Sequence, residues 1–238
     1  MNKSDTFIVL GGGTAGWMAA NLLAKSFNST NIGQTRTPIK IIVIESPDIG
    51  IVGVGEGSTP QLRSLFDYLD IPESSWMPKC NATYKTGINF RSWSSEPDCE
   101  SYFHPFPAKT DRDTAQAFVY NSYLRRHGYG VNATPDHYFL PATLAKQGRG
   151  PIADDNFPFP VSYGYHFDSY LMGEVLRDNA MGLGVEHVQA RIEEVELSES
   201  GDIKSLVCEQ GTAYLADYFI DCSGFASVLI EKALKVPF

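Results

Sequence analysis

The chain has 238 residues, 43% of them apolar, and a formal charge of −9 at neutral pH. That length suits one large or two modest domains of globular rather than disordered type. The acidic balance argues against a nucleic-acid partner, Arg125-Arg126 being the only tight basic pair and reading as a solvated helix face, and no apolar run of roughly 18 residues exists to cross a membrane.

Met1-Asn2-Lys3-Ser4-Asp5 lacks the apolar stretch of a secretory leader. Phe7 to Leu10 reads as a buried parallel strand closed by Gly11-Gly12-Gly13. Thr14 to Lys25 reads as a helix with Trp17, Ala20 and Leu23 on one side. A polar loop runs from Asn28 to Pro38, and Ile39 to Ile44 is a second buried strand that ends in Glu45. Strand, helix, strand makes a βαβ unit. Ile49 to Pro60 is a glycine-rich loop, Gln61 to Leu69 a short helix, and Ala82 to Trp93 a weakly alternating strand.

Pro97 to Pro160 is rich in aromatics, prolines and turn residues and reads as an insertion that shapes a ligand site. Asp168 is placed to cap a helix to about Asn179, with Leu171, Val175 and Leu176 as its apolar face. Gly182-Leu183-Gly184 ends it. Strands are expected at Val185–Val188, Ile192–Leu197, Ile203–Glu209 and Ala213–Ile220, followed by Asp221-Cys222-Ser223-Gly224 and a last helix from Ala226 to Lys235. Cys80, Cys99, Cys208 and Cys222 form no CxxC pair and no metal-ligand pattern, so no metal and a reducing, cytoplasmic setting are expected.

The chemistry begins at Gly11-Gly12-Gly13-Thr14-Ala15-Gly16, a GxGxxG between a buried strand and an amphipathic helix. Gly11 permits the tight turn, Gly13 lets pyrophosphate approach the backbone, and Gly16 lets helix and strand close up. The N–H groups of Thr14 and Ala15 open the helix and suit phosphate. Glu45 at the second strand end is placed to accept from the adenosine ribose, although its interval from Gly13 exceeds the usual ~20 residues. The plainer meaning is a structural glycine turn. Asp221, at a later strand end with Gly224 behind it, is read either as a further cofactor contact, which favours FAD over NAD, or as a cap of the last helix.

Five segments resemble the flavin-dependent halogenases of the tryptophan halogenase type: Gly11 to Trp17, Gly53-Val54-Gly55-Glu56-Gly57-Ser58-Thr59-Pro60, Cys80-Asn81-Ala82-Thr83-Tyr84-Lys85, Tyr165-His166-Phe167-Asp168 and Phe219 to Phe225. The resemblance implies an α/β fold: an FAD/NAD(P)-binding Rossmann-like fold of the flavin monooxygenase type with an aromatic- and proline-rich substrate-side insertion. It divides the chain into an FAD-binding segment 1–96, an insertion 97–163 and a return to the FAD-binding domain over 164–238. It also implies reduced FAD supplied by a separate flavin reductase, oxygen giving a flavin hydroperoxide, and chloride or bromide giving hypohalous acid.

In that scheme Lys85 is the catalytic lysine beside an aromatic small molecule; read alone, it is a surface charge. Gly53, Gly55, Glu56, Ser58 and Thr59 belong to the loop that lines the flavin, with Glu56 also readable as an anchor of that loop. His104 and Phe106 resemble the family's substrate contacts, while His166 and Asp168 read as support for the domain junction and a helix cap. Family members are about twice as long, and their Trp-x-Trp-x-Ile-Pro segment and the glutamate opposite the lysine are missing. The resemblance is thus to the N-terminal half only. The expectation is an inactive or FAD-binding fragment, its standing as an enzyme open, whose full-length parent halogenates an electron-rich, indole-like substrate. An aromatic hydroxylase and a non-catalytic flavin-binding module are the alternatives.

Overall fold

A computed structural model describes residues 5–28, 38–50, 53, 55–95, 100–154 and 156–237. Most of the polar loop after Asn28, Ile51, Val52 and Val54 of the glycine-rich loop, and Pro97 and Cys99 at the head of the insertion lie outside the described residues. In chain order the elements are β1 (Thr6–Leu10), α1 (Thr14–Leu23), β2 (Lys40–Glu45), β3 (Gly55–Gly57), α2 (Gln61–Tyr68), α3 (Glu73–Trp76), β4 (Thr83–Lys85), β5 (Gly87–Phe90) and β6 (Tyr102–Pro105). Then come α4 (Arg112–Arg126), α5 (Leu140–Lys146), β7 (Gly164–Asp168), α6 (Ser169–Gly182), β8 (Glu186–Gln189), β9 (Ile192–Leu197), β10 (Ile203–Cys208), β11 (Ala213–Leu215) and β12 (Tyr218–Asp221). They fall into two compact units, one of Met1–Val54, Ser74–Cys80 and Asp168–Phe238, the other of Gly55–Glu73 and Asn81–Phe167.

The first unit is built on a parallel sheet of order β12-β1-β2-β8. Its central strands, β1 and β2, are apolar without alternation because both faces are covered. Ile8 and Leu10 of β1 and Ile42 and Ile44 of β2 join Leu206 and Cys208 of β10 in one core, and β10 lies in an antiparallel sheet of order β11-β10-β9. Helix α1 packs along β1 and β2 and against α6. A buried polar bridge fixes that helix pair: Asn21 Nδ2 donates to the Leu176 carbonyl at 2.8 Å, and Asn179 Nδ2 donates to Asn21 Oδ1 at 2.7 Å. Asp168 caps α6, its Oδ1 accepting from the N–H groups of Tyr170 and Leu171.

Several elements depart from the sequence reading. The expected single strand Ala213–Ile220 is two strands in different sheets, because β11 completes the antiparallel sheet and β12 crosses to the parallel one. The expected strand Ala82–Trp93 is likewise divided, β4 pairing with β7 and β5 with β6. The buried face of α6 is Met172, Gly173, Leu176 and Ala180; Leu171 and Val175 are only partly covered. The last helix is a 3-10 turn, Gly224–Ala226, then a π-helical segment, Val228–Ala233, broken by left-handed Ser227 at φ 40°.

In the second unit, β7 lies between β3 and β4. The insertion contains β6, α4 and α5, and α4 buries no residue, with Arg125 and Arg126 exposed in its last turn. Among the described residues no helix is long and apolar enough to cross a membrane.

Candidate functional site

In the first unit, chain geometry makes a cradle at the end of β1. Gly11 has φ 118°, and a methyl group there would overlap the carbonyl of Cys222; one on Gly16 would overlap the carbonyl of Gly11. These two glycines are required by close backbone packing. Gly13 differs: a methyl there would meet nothing within 4 Å. It precedes an α1 that has no side-chain cap and no acidic residue in its first turn. Open space at Gly13 and an uncapped helix start are what a pyrophosphate needs. Ala15 is exposed in that turn. The Thr14 hydroxyl lies 3.5 Å from the Ser169 carbonyl, at the limit of a hydrogen bond.

Glu45 lies over Gly12, where any Cβ would overlap its carboxylate. Its Oε1 is 3.2 Å from His187 Nε2, off the line a hydrogen bond needs, and His187 packs edge-on against Trp17 at 5.1 Å. The carboxylate is therefore held beside the glycine loop, as a ribose acceptor must be. His187 gave no signal in the sequence, since a lone histidine in a strand carries no spacing pattern.

Asp221 is placed differently from a free cofactor contact. Its Oδ1 accepts from the Ser223 N–H and hydroxyl, and its Oδ2 from the N–H groups of Leu229 at 2.8 Å and Ile230 at 3.0 Å. Burial opposes its ionisation, but hydrogen bonds from the Ser223 hydroxyl and from the N–H groups of Ile230, Ser223 and Leu229 outweigh it and hold the carboxyl below its ordinary range. The capping alternative thus describes its contacts. Gly224, at φ 63°, opens only the short 3-10 turn, so no long helix begins there to face a phosphate. Gly53 is half-buried in the same unit.

The second unit gathers the lysine site. Residue pairs Thr83↔His166, Tyr84↔Tyr165 and Lys85↔Gly164 put Thr83, Lys85 and His166 on one face and the two tyrosines on the other. Lys85 is half-buried, and burial lowers its amine below the usual lysine range. Its Nζ stands 5.6 Å from the centroid of the buried Phe106 ring. A methyl group on Gly57 would stand 2.9 Å from Lys85 Nζ and 3.2 Å from His166 Nδ1. His166 thus belongs with the lysine, a neighbour that its reading as junction support had missed. Strand alternation across β4 and β7 was the signal that could have found it.

Ser58 is tied to β7: its N–H donates to the Tyr165 carbonyl at 2.8 Å, and its hydroxyl accepts from the Tyr165 N–H at 3.0 Å. Gly55 and Glu56 are exposed, and the Thr59 carbonyl accepts from the Leu62 N–H at the start of α2. His104 stands apart, in an aromatic group with Phe90 and Tyr102, whose rings stack at 5.2 Å, and Trp93.

The opposite face of the same sheet is anchored by Glu73. Its Oε1 accepts from Tyr163 at 2.9 Å and Tyr165 at 2.5 Å, and its Oε2 from Tyr84 at 3.4 Å. Arg63 lies 3.9 Å from Oε1 and 4.8 Å over the Tyr163 ring. Burial, with Glu73's hydrogen bonds and charge, raises the Tyr163 and Tyr165 hydroxyls well above the usual phenol range.

The family model for tryptophan halogenase matches residues 6–238. Tryptophan 7-halogenase RebH of Lentzea aerocolonigenes is 34% identical over 99% of this chain and 45% of its own length. Tryptophan 6-halogenase ThaL of Streptomyces albogriseolus is 35% identical over 100% of this chain and 46% of its own. The solved tryptophan halogenase of Shewanella frigidimarina superposes with a TM-score of 0.82 at 29% identity, covering 100% of this chain and 46% of that one. The flavin-dependent halogenase of Xanthomonas campestris gives 0.79 at 35%, over 98% of this chain and 45% of that one. These structures share the α/β Rossmann-like flavin-binding fold expected from the sequence, and the chain spans about half the length of these relatives.

The breadth of the match corrects three expectations: a likeness to the N-terminal half only, an inactive or merely FAD-binding fragment, and an open standing as an enzyme. The likeness extends along this chain without a break in favour of any part, and it is to enzymes. The relatives named here are halogenases, not hydroxylases or non-catalytic flavin modules. The chain belongs to the tryptophan halogenase family.

Proposed function

We propose that this protein halogenates an electron-rich aromatic small molecule in an FAD-dependent reaction, with Lys85 as the residue that presents the halogen to the ring. Membership of the family implies FAD as cofactor, and a separate reductase, oxygen, halide and an aromatic substrate as its partners. When bound in its reduced form, FAD would supply the two electrons that activate oxygen, and oxygen would be the oxidant that converts chloride or bromide into hypohalous acid.

The protein's own residues divide the task. Gly11, Gly13 and Gly16, with the N–H groups of Thr14 and Ala15, hold the pyrophosphate, and Glu45 accepts from the ribose. Gly53, Gly55, Glu56, Ser58 and Thr59 serve the flavin end, with Asp221 and Gly224 as lesser contributors given the capping role of that carboxylate. Lys85 either donates an N–H to hypohalous acid and orients it, or takes the halogen on its amine with loss of water. The arene then replaces a ring proton by halogen, and the amine is restored. Phe106, whose ring lies beside Lys85, contacts the substrate, and His104 contributes from the neighbouring aromatic group.

The observation that carries this reading is the half-buried amine of Lys85, its ionisation weakened by burial, 5.6 Å from the Phe106 ring and bordering the niche over Gly57 that His166 also borders. A solvated surface lysine has no such setting. The test is product analysis with chemically reduced FAD, bromide or chloride and a panel of indoles, phenols and pyrroles. Halide-dependent product from the wild type, lost in Lys85→Ala with FAD affinity retained, is expected. Unchanged product in Lys85→Ala removes the lysine from the chemistry, and oxygen insertion indifferent to halide removes halogenation.

A further inference from the structure

The ladder between β4 and β7 is only three pairs long, yet it sets two nitrogen-bearing side chains, Lys85 and His166, at a defined spacing. Lys85 opposes Gly164, and His166 opposes Thr83, so Lys85 and His166 are diagonal neighbours on one face. Gly164 puts no side chain beside Lys85. From β3, Gly57 brings only hydrogen to the point that lies 2.9 Å from Lys85 Nζ, 3.2 Å from His166 Nδ1 and 3.3 Å from His166 Cε1. Two nitrogens therefore border a niche that exists because residue 57 has no Cβ.

We propose that His166 is the positioning residue for Lys85: as a neutral imidazole across the bare Cα of Gly57 it fixes where the lysine nitrogen stands, and as an imidazolium it repels the Lys85 ammonium, displaces it and stops the reaction. The statement about the reaction rests on the halogenase reading; the pairing itself rests on the sheet.

Gly57 and His166 are exposed, and Lys85 is half-buried. From β4 the facing groups are Lys85 and the uncharged Thr83, and from β3 Gly55 and Gly57 bring no charge; Asp168, two residues along β7 on the His166 side, is engaged in capping α6, its Oδ1 accepting from the Tyr170 and Leu171 N–H groups. Tyr84, Tyr165 and Glu73 belong to the opposite face. Lys85 is thus the charge that His166 senses. Burial, and after it the Lys85 ammonium, hold His166 below the ordinary imidazole range. Depressed in this way, the imidazole is neutral at neutral pH and charges only below its usual value of about 6.5. Like charges at such spacing oppose one another even at a high effective dielectric.

Two readouts test this on the purified protein. The first needs no turnover: the imidazole titration of His166 followed by nuclear magnetic resonance in the wild type and in Lys85→Met. A midpoint below the ordinary value, rising toward it in Lys85→Met, is expected; the same midpoint in both proteins overturns the pairing. The second is the pH profile of halogenation in His166→Asn and Gly57→Ala. His166→Asn keeps a neutral polar group and should lose the acid limb of the wild-type profile. Gly57→Ala should cut turnover about tenfold or more with the melting temperature unchanged, because the added methyl crowds the flexible end of Lys85 and the exposed His166 ring and meets no backbone atom among its nearest contacts. An acid limb that persists unchanged in His166→Asn overturns the proposal. If the wild type makes no halogenated product at all, the halogenase reading fails, and the titration alone decides whether His166 and Lys85 are coupled.

Discussion

Replacing single glycines of the dinucleotide loop with alanine separates residues needed by the fold from those needed by a ligand. Gly13 has φ −72° and ψ 178°, extended backbone that alanine adopts without strain, and open space beyond its Cα. Losing the flexibility of glycine in the unfolded chain stabilises Gly13→Ala by about 0.4–1 kcal/mol. Losing a good N-cap residue costs about as much. The net change is close to zero, so the melting temperature should stay within about 2 °C of the wild type. At Gly11 the sum differs. A φ of 118° is strained for alanine by about 1–3 kcal/mol. Overlap with the Cys222 carbonyl adds about 1–3 kcal/mol more. A fall of about 10 °C or more is expected for Gly11→Ala.

The ligand reverses the ranking of Gly13. If pyrophosphate approaches there, the methyl removes at least one charge-assisted N–H contact, worth about 1.5–3 kcal/mol, or tenfold and upward in affinity. The assays are thermal melting without ligand and FAD titration by flavin fluorescence. A Gly13→Ala protein as unstable as Gly11→Ala would show that crowding, not a ligand, demands glycine at both positions. Undiminished FAD affinity in Gly13→Ala would show that phosphate binds elsewhere.

Four further outcomes follow from contacts described above. Glu45→Ala should weaken FAD about tenfold, read by the same titration, with less effect on FMN, which has no adenosine ribose. Glu73→Gln should lower stability to urea by about 2 kcal/mol, because three tyrosine hydroxyls lose a charged acceptor. The wild type should also lose stability as pH rises past about 10, since its raised tyrosines keep protons that the unfolded chain releases there. An ultraviolet phenolate titration that matches free tyrosine would refute that. Asp221 has a depressed pKa, so its contribution is complete above the ordinary aspartate value of about 3.9 and is lost as pH falls through the folded one. Asp221→Asn should cost about 1–2 kcal/mol at neutral pH and flatten the acid limb of the stability curve, measured by denaturant melts.

How much of this was legible in the sequence depended on the range of the interactions involved. The βαβ unit, its glycine loop and Glu45 follow from local patterns: apolar runs that end in glycine, and an acidic residue at a strand end. Asp168 as a cap is equally local. The division of Ala213–Ile220 was not, because the same apolar pattern serves a strand in either sheet, and only tertiary pairing decides that β11 and β12 part company. Asp221 looked alike as cap or cofactor contact, and in the structure its Oδ1 accepts from Ser223 and its Oδ2 from Leu229 and Ile230, eight and nine residues onward. Lys85 was found through family resemblance, while its neighbours Gly57 and His166 became visible only once the pairing of β4 with β7 was known.

The pleat of that small sheet has a consequence for variation. Tyr84 and Tyr165 fasten one side to Glu73, while Thr83, Lys85 and His166 occupy the other. A slip of one residue in either strand would exchange the two sides, putting an ammonium among the phenols. The tyrosine hydroxyls therefore act as a check on alignment for strands too short to secure it by their own ladder. Anchorage and reactivity alternate along the same few residues, so they can change independently: libraries at 57, 83 and 166 can explore new substrates or halides on an intact platform, whereas a single insertion or deletion between 81 and 86 should abolish both together.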